Sequence, residues 1–172
     1  MQPRIAYFDL EHFVLITFKF EYPIERTMAF EKEYHENLQL ELEEKRGLLR
    51  DAIAIWMFDG DVLVGETYGI ALGHRADEHP GCPADPHAIY CYSNTILGKY
   101  KEKGYGTILK AAFIGHVSGK FSRIYGHARP GASQALNRKF GAKFLHTYED
   151  WFGTGEDYGL YVLDLDETAR KR

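Results

Sequence analysis

At 172 residues the chain predicts one α/β domain spanning 1–172, and its 45% hydrophobic and 15% aromatic content excludes a disordered chain. The net charge of −4 withholds the basic footprint that nucleic-acid binding requires, and no run approaches the ~18 apolar residues of a membrane span. Two cysteines, Cys82 and Cys91, form no CxxC or paired framework, and Met1-Gln2-Pro3-Arg4 opens no signal peptide, so the expected compartment is the cytoplasm.

Residues 4–20 are rich in Phe, Tyr, Ile and Val and predict a strand, clearest over 12–20. From Pro23 to about Gly47 the apolar positions are sparse and charge is heavy, which predicts one or two surface helices broken near His35-Glu36-Asn37. Asp59-Gly60-Asp61 between Ile53–Phe58 and Val62–Val64 marks a hairpin, whose second strand continues to about Leu72 with a bulge at Gly65. Pro80, Pro83 and Pro86 make 73–87 a loop. A strand over 88–97 follows. Ile108, Leu109, Ala112, Phe113, His116 and Val117 then lie on one face at a 3.6-residue period, and Gly119 ends that helix. Strand 121–127, helix 132–140 closed by Gly141, and strands 143–149 and 158–165 complete the order. The pattern predicts a mixed, mostly antiparallel sheet of six or seven strands with about four helices on its faces.

The segment Lys101-Glu102-Lys103-Gly104-Tyr105-Gly106-Thr107 joins a predicted strand to a predicted amphipathic helix. Helix-start N–H groups and the helix dipole attract an anion there, and glycines let backbone approach phosphate oxygens. Lys101 and Lys103 add charge, and Thr107 offers a hydroxyl. The chain has no G-x-x-x-x-G-K-[ST], which excludes a P-loop, and Leu109 stands where a dinucleotide turn needs its third glycine.

Tyr100 to Thr107 resembles the coenzyme A signature [Q/R]-x-x-G-x-[G/A] of the GNAT N-acetyltransferase superfamily, with Lys101 in place of Gln or Arg. Ser133, Lys139 and Gly141 resemble its second block, S/A-x5-K-x-G, and the element order matches from about residue 5 to 165. The resemblance implies a GNAT-like fold and transfer of an acetyl group from acetyl-CoA to an amine, by direct attack on the thioester and without a metal. It implies that Ile96 and Leu97 pair with pantetheine, that the amide of one of them polarises the thioester carbonyl, that Lys101 through Thr107 hold the pyrophosphate, and that Ser133 belongs to the coenzyme site. Pro130 stands where the family often has Asn. Asn137 stands where many members have a tyrosine that protonates the leaving thiolate, and an amide is a far poorer acid than a phenol. A catalytically weak or inactive acyl-CoA-binding module of the same fold is therefore the alternative, and Tyr92, Tyr125 or water are other proton sources.

Glu66, Tyr92, Asn94 through a water, and His127 are candidate general bases. Each also has a plain structural reading: an exposed strand carboxylate, strand packing, or a capping or loop histidine. His74, His79, Cys82, Asp85 and His87 share one loop, but their spacing fits no zinc pattern and predicts a solvated loop. Glu149, Asp150, Glu156 and Asp157 beside Trp151, with the glutamates of 25–45, offer a negative rim for a cationic amine, Trp151 supplying a cation–π face. A C2 homodimer is the default assembly.

Overall fold

The computed structural model describes residues 6–9 and 14–165. Among them lie eight strands, β1 (Ala6–Asp9), β2 (Val14–Lys19), β3 (Ile53–Asp59), β4 (Val62–Ala71), β5 (Ala88–Ile96), β6 (Arg123–Ala128), β7 (Lys143–Tyr148) and β8 (Tyr158–Asp164), and three α-helices, α1 (Leu42–Arg50), α2 (Tyr105–Val117) and α3 (Ala132–Lys139). Five 3-10 stretches accompany them among the described residues, the longest over Ile24–Glu33. The expected mixed sheet with helices is present. The chain divides into two compact units, described in turn.

Unit 1 comprises residues 1–35, 39–68 and 93–113, within which the strand order is β1-β2-β3-β4-β5. The single strand read over 4–20 is two antiparallel strands, with Ala6 opposite Thr17 and Asp9 opposite Val14; residues 10–13, in the middle of that reading, lie outside the described residues. Gly60 and Asp61 alone join β3 to β4, the short turn read from Asp-Gly, and Gly60 takes the positive φ of 59° that such turns require. β4 is buried without interruption from Val64 to Ile70, so both its faces are covered. Gly65 is no bulge. A Cβ there would stand 2.8 Å from Ile96 Cδ1 and 3.1 Å from Leu109 Cδ2, so its missing side chain makes room for β5 and α2. Along α2, Tyr105, Leu109 and Phe113 recur every four residues and are all buried.

The charged stretch after Pro23 is not one long helix. Ile24–Glu33 is 3-10, with Thr27 Oγ1 donating back to the Ile24 carbonyl at 2.8 Å, and only Leu42–Arg50 is α-helical. The break falls at Tyr34, as expected near His35-Glu36-Asn37. α1 starts on a capping box: the Glu41 carboxylate takes the Glu44 N–H, and Glu44 Oε2 accepts the Glu41 N–H at 2.8 Å.

Unit 2 comprises residues 36–38, 69–92 and 114–172, and within it the order is β4-β5-β6-β8-β7. β5 runs parallel to β6, paired from Ala88↔Arg123 to Tyr90↔Tyr125, while β6 pairs antiparallel with β8 along its whole length. Leu72, Ala76, Ala88, Tyr90, Tyr125 and Leu160 form its buried core. The loop expected over 73–87 contains a 3-10 turn, Gly73–Glu78, which delivers His79 to that core. β7 has one neighbour and exposed side chains from Lys143 to Thr147, Phe144 and Leu145 included. None of the described helices is long and apolar enough to cross a membrane.

Candidate functional site

In unit 1, β5 ends at Ile96, a 3-10 turn covers Gly98–Tyr100, and the loop reaches the first turn of α2 at Tyr105. Two loop residues are left-handed, Glu102 at φ 65° and Gly104 at φ 79°. The Gly104 carbonyl accepts the N–H of Thr107 at 3.0 Å and of Ile108 at 3.3 Å, so Gly104 is the residue from which α2 starts. Lys101, Glu102, Lys103 and Gly104 are exposed. The Tyr105 side chain instead turns inward, buried, with its hydroxyl on Asp59 Oδ2 at 2.5 Å; what this residue offers the loop is backbone. Lys101 Nζ is ion-paired with Glu33 Oε2 at 2.7 Å, and Glu33 Oε1 accepts the Gly98 N–H at 2.9 Å. Sequence reading did not anticipate this carboxylate beside the anion loop.

The β5 end separates the two backbone amides proposed for a thioester carbonyl. Leu97 donates its N–H to the Val64 carbonyl of β4 at 3.1 Å, so that amide is already used. N–H groups alternate sides along a strand, which turns the Ile96 N–H away from β4. Of the pair, Ile96 is therefore the candidate donor that remains. Side chains alternate as well. Thr95 donates its hydroxyl to the Tyr34 phenol oxygen at 2.7 Å, Tyr34 and Ser93 share a short hydrogen bond, and Thr67 donates to the Ser93 carbonyl at 2.6 Å. Asn94, on the other face, donates its amide to the Gly106 carbonyl at 3.3 Å and so ties β5 to the start of α2.

Glu66 is not the exposed strand carboxylate of the plain reading. It is fully buried on β4, with Oε1 on Lys45 Nζ at 2.8 Å and Oε2 on the Trp56 indole N–H at 2.7 Å. Burial raises its pKa above the usual carboxylate value, and Lys45 and Trp56 oppose that rise. Lys45, itself fully buried, also pairs with Glu31 Oε1 at 2.8 Å and donates to the Thr27 carbonyl at 3.3 Å. With both oxygens engaged away from solvent, Glu66 is an internal partner of Lys45 and Trp56, not a base presented to a substrate. Nothing local in the sequence signals that an α1 lysine and a β4 glutamate meet.

In unit 2, Tyr92 and His127 belong to one aromatic assembly. Tyr92 OH lies 3.1 Å from His79 Nε2, and Tyr90 OH 2.8 Å from His127 Nδ1. His79 stacks on Tyr90 at 3.8 Å between centroids, and His127 on Trp151 at 3.9 Å. His127 is thus a member of β6, not a capping or loop histidine, and Trp151 has already spent ring surface on it. Burial lowers the pKa of both His79 and His127 to about 4, so both rings are neutral at physiological pH. Burial raises the phenols: Tyr92 to about 12, and Tyr90 further. A buried phenol that keeps its proton must donate it, so Tyr90 donates to Nδ1 and the neutral His127 ring carries its proton on Nε2.

Ser133 is exposed in the first turn of α3, behind Gly131 at φ 86°. Asn137 donates its side-chain amide to the Ser133 carbonyl one turn back at 3.0 Å, a local helix bond. Cys82 and Cys91 are free thiols, and among the described residues no group of three or more His, Cys, Asp or Glu could hold a metal ion.

No family model matches the sequence, and no curated protein matches it. Solved structures do match. Arabidopsis thaliana NAA60 in complex with acetyl-CoA is 15% identical, covers 88% of this chain and 99% of its own, and superposes with a TM-score of 0.69. The ribosomal-protein-alanine N-acetyltransferase of Brucella melitensis is 15% identical over 86% of this chain and 98% of its own, at 0.69. The loading GNATL domain of CurA from Lyngbya majuscula is 12% identical over 88% and 98%, at 0.68. The chain has the fold of the GNAT acetyltransferases.

Proposed function

We propose that the chain is an acyl-CoA-dependent N-acyltransferase that moves an acetyl group from acetyl-CoA to an amine. The observation that carries this reading is the loop Lys101–Thr107. It is exposed and cationic at its start, left-handed at Gly104, and opens directly into the first turn of α2, one short turn beyond the β5 end where the Ile96 N–H faces away from β4. Exposed backbone at a helix start, with lysines 101 and 103, suits a diphosphate. Ser133 in the first turn of α3 is the further coenzyme contact of the reading.

In the reaction the amine nitrogen attacks the thioester carbonyl carbon. The C–N bond forms, the C–S bond breaks, and the coenzyme leaves as thiolate. The Ile96 N–H is suited to the negative charge that develops on the carbonyl oxygen. One proton must leave the attacking nitrogen and one must reach the thiolate. Tyr92 and His127 are the side chains proposed to move them, each through its hydrogen-bonded partner, His79 or Tyr90. Glu66 is left out of that role by its burial and Asn137 by its chemistry. The acidic residues near Trp151 are proposed to favour cationic acceptors.

Titration calorimetry with acetyl-CoA tests the coenzyme site, and absence of heat at millimolar ligand rejects it. Release of free thiol over a panel of amines and peptides tests transfer. Asn137 at the position of the missing phenol favours one second reading, a coenzyme-binding module without turnover. Tight binding with no thiol release across the panel selects it.

A further inference from the structure

Glu33 ends the 3-10 stretch, and the next residue, Tyr34, is fastened to Ser93 and Thr95 of β5. Its carboxylate is therefore delivered to a fixed place. There Oε1 takes the Gly98 N–H at 2.9 Å and Oε2 takes the Lys101 ammonium at 2.7 Å. One backbone N–H and one ammonium, each holding one oxygen, make up the kind of donor set that binds phosphate oxygens. The Glu33 carboxyl lies below its ordinary pKa: burial pulls it upward, but the hydrogen bonds from Lys101 and Gly98 outweigh burial. It is a carboxylate at any pH at which the protein would work.

We propose that Glu33 is a built-in competing anion, an autoinhibitory contact that an incoming diphosphate must displace from Lys101 and Gly98. The inference rests on the coenzyme reading of the Lys101–Thr107 loop. An ammonium that neutralises one carboxylate cannot attract a second anion in full, and both anions on Lys101 would be within a few ångströms of each other. The exchange costs little structure. The Lys101 and Glu33 side chains are 55% and 21% exposed, so Glu33 can turn to water when its place is taken.

The test compares wild type with Glu33→Gln, using coenzyme A and inorganic pyrophosphate as separate probes in calorimetry at low and high salt. The variant keeps the shape and removes the charge. Glu33→Gln is expected to bind both probes roughly fivefold tighter at low salt, with the gain shrinking at high salt. Wild type that binds coenzyme A, with a variant that binds equally or more weakly, overturns the proposal alone, because Glu33 would then be orienting Lys101. If neither protein binds either probe, the coenzyme reading fails and takes the proposal with it. Circular dichroism verifies the fold. If Glu33→Gln does not fold, Glu33→Ala also removes the charge and makes the same comparison.

Discussion

Replacing Lys45 with methionine should unfold this protein at a much lower denaturant concentration. The Lys45 ammonium is fully buried and is shared by two carboxylates, Glu66 at 2.8 Å and Glu31 at 2.8 Å, with the Thr27 carbonyl at 3.3 Å. Methionine fills much of the same volume, so packing changes little and the lost charge dominates. Breaking a buried ion pair by removing one partner costs about 3–5 kcal/mol, because the remaining charge is left uncompensated. For a chain of this size each kcal/mol lowers Tm by about 2–4 °C, so Tm should fall roughly 6–20 °C. The pH dependence identifies the cause. Glu66 already has a raised pKa from burial, and loss of Lys45 leaves only the Trp56 hydrogen bond of the two contacts that oppose that rise. A carboxyl with a raised folded value binds its proton more tightly in the folded state, so stability falls as pH climbs through that value. The wild-type-minus-variant difference should be largest near neutrality and shrink as pH drops toward 4.5, the ordinary glutamate value. Urea unfolding at several pH values measures it. A loss below about 1 kcal/mol, or one independent of pH, would refute the reasoning.

Acid should act on unit 2 in the opposite sense. His79 and His127 have folded values near 4 against an ordinary 6.5, so the unfolded chain takes protons first and stability drops as pH falls from about 6.5 toward about 4; His79→Gln and His127→Gln should each flatten that limb in urea melts. Gly65→Ala brings a Cβ within 2.8 Å of Ile96 Cδ1 and 3.1 Å of Leu109 Cδ2, and thermal unfolding should register an overpacking cost of about 1–3 kcal/mol. Gly104→Val places a β-branched residue at φ 79°, where no neighbour lies within 4 Å of the Cβ position. The penalty is backbone strain at the loop, and calorimetry should show coenzyme A affinity at least tenfold lower, with the Tm change kept to a few degrees.

Where sequence marked the chain by periodicity and punctuation, it was legible. The Asp-Gly hairpin, the α2 face, and the α3 helix before Gly141 sit within a residue or two of their expected places, because each follows from local spacing and turn chemistry. Long-range pairing was not legible. Nothing local distinguishes Glu66, an acidic residue in a strand, from a solvated one; only the approach of Lys45 from α1 makes its burial tolerable. The same holds for Glu33 on Lys101, which are 68 residues apart. Spacing pointed to the loop, but it could not report a carboxylate arriving from another element. Leu97 and Ile96 were equivalent in sequence and differ only in which side of β5 each amide faces. The 3-10 geometry of Ile24–Glu33 escaped the reading because heavy charge after a proline resembles an ordinary surface helix.

β7 lies at the end of the strand order, with Phe144 and Leu145 open to solvent and no described strand beyond it to match its outer row of backbone groups. Such a margin is a template on which a stranger's extended segment can be laid down, the first step of edge-to-edge aggregation. Two local features work against it. The register slips between Phe144 and His146, so the strand is kinked where it is most apolar, and Lys143 sets a charge at its beginning. The irregularity opposite Leu160 therefore acts as a guard on solubility, and straightening it by deleting Leu145 would leave the fold a smooth, sticky border.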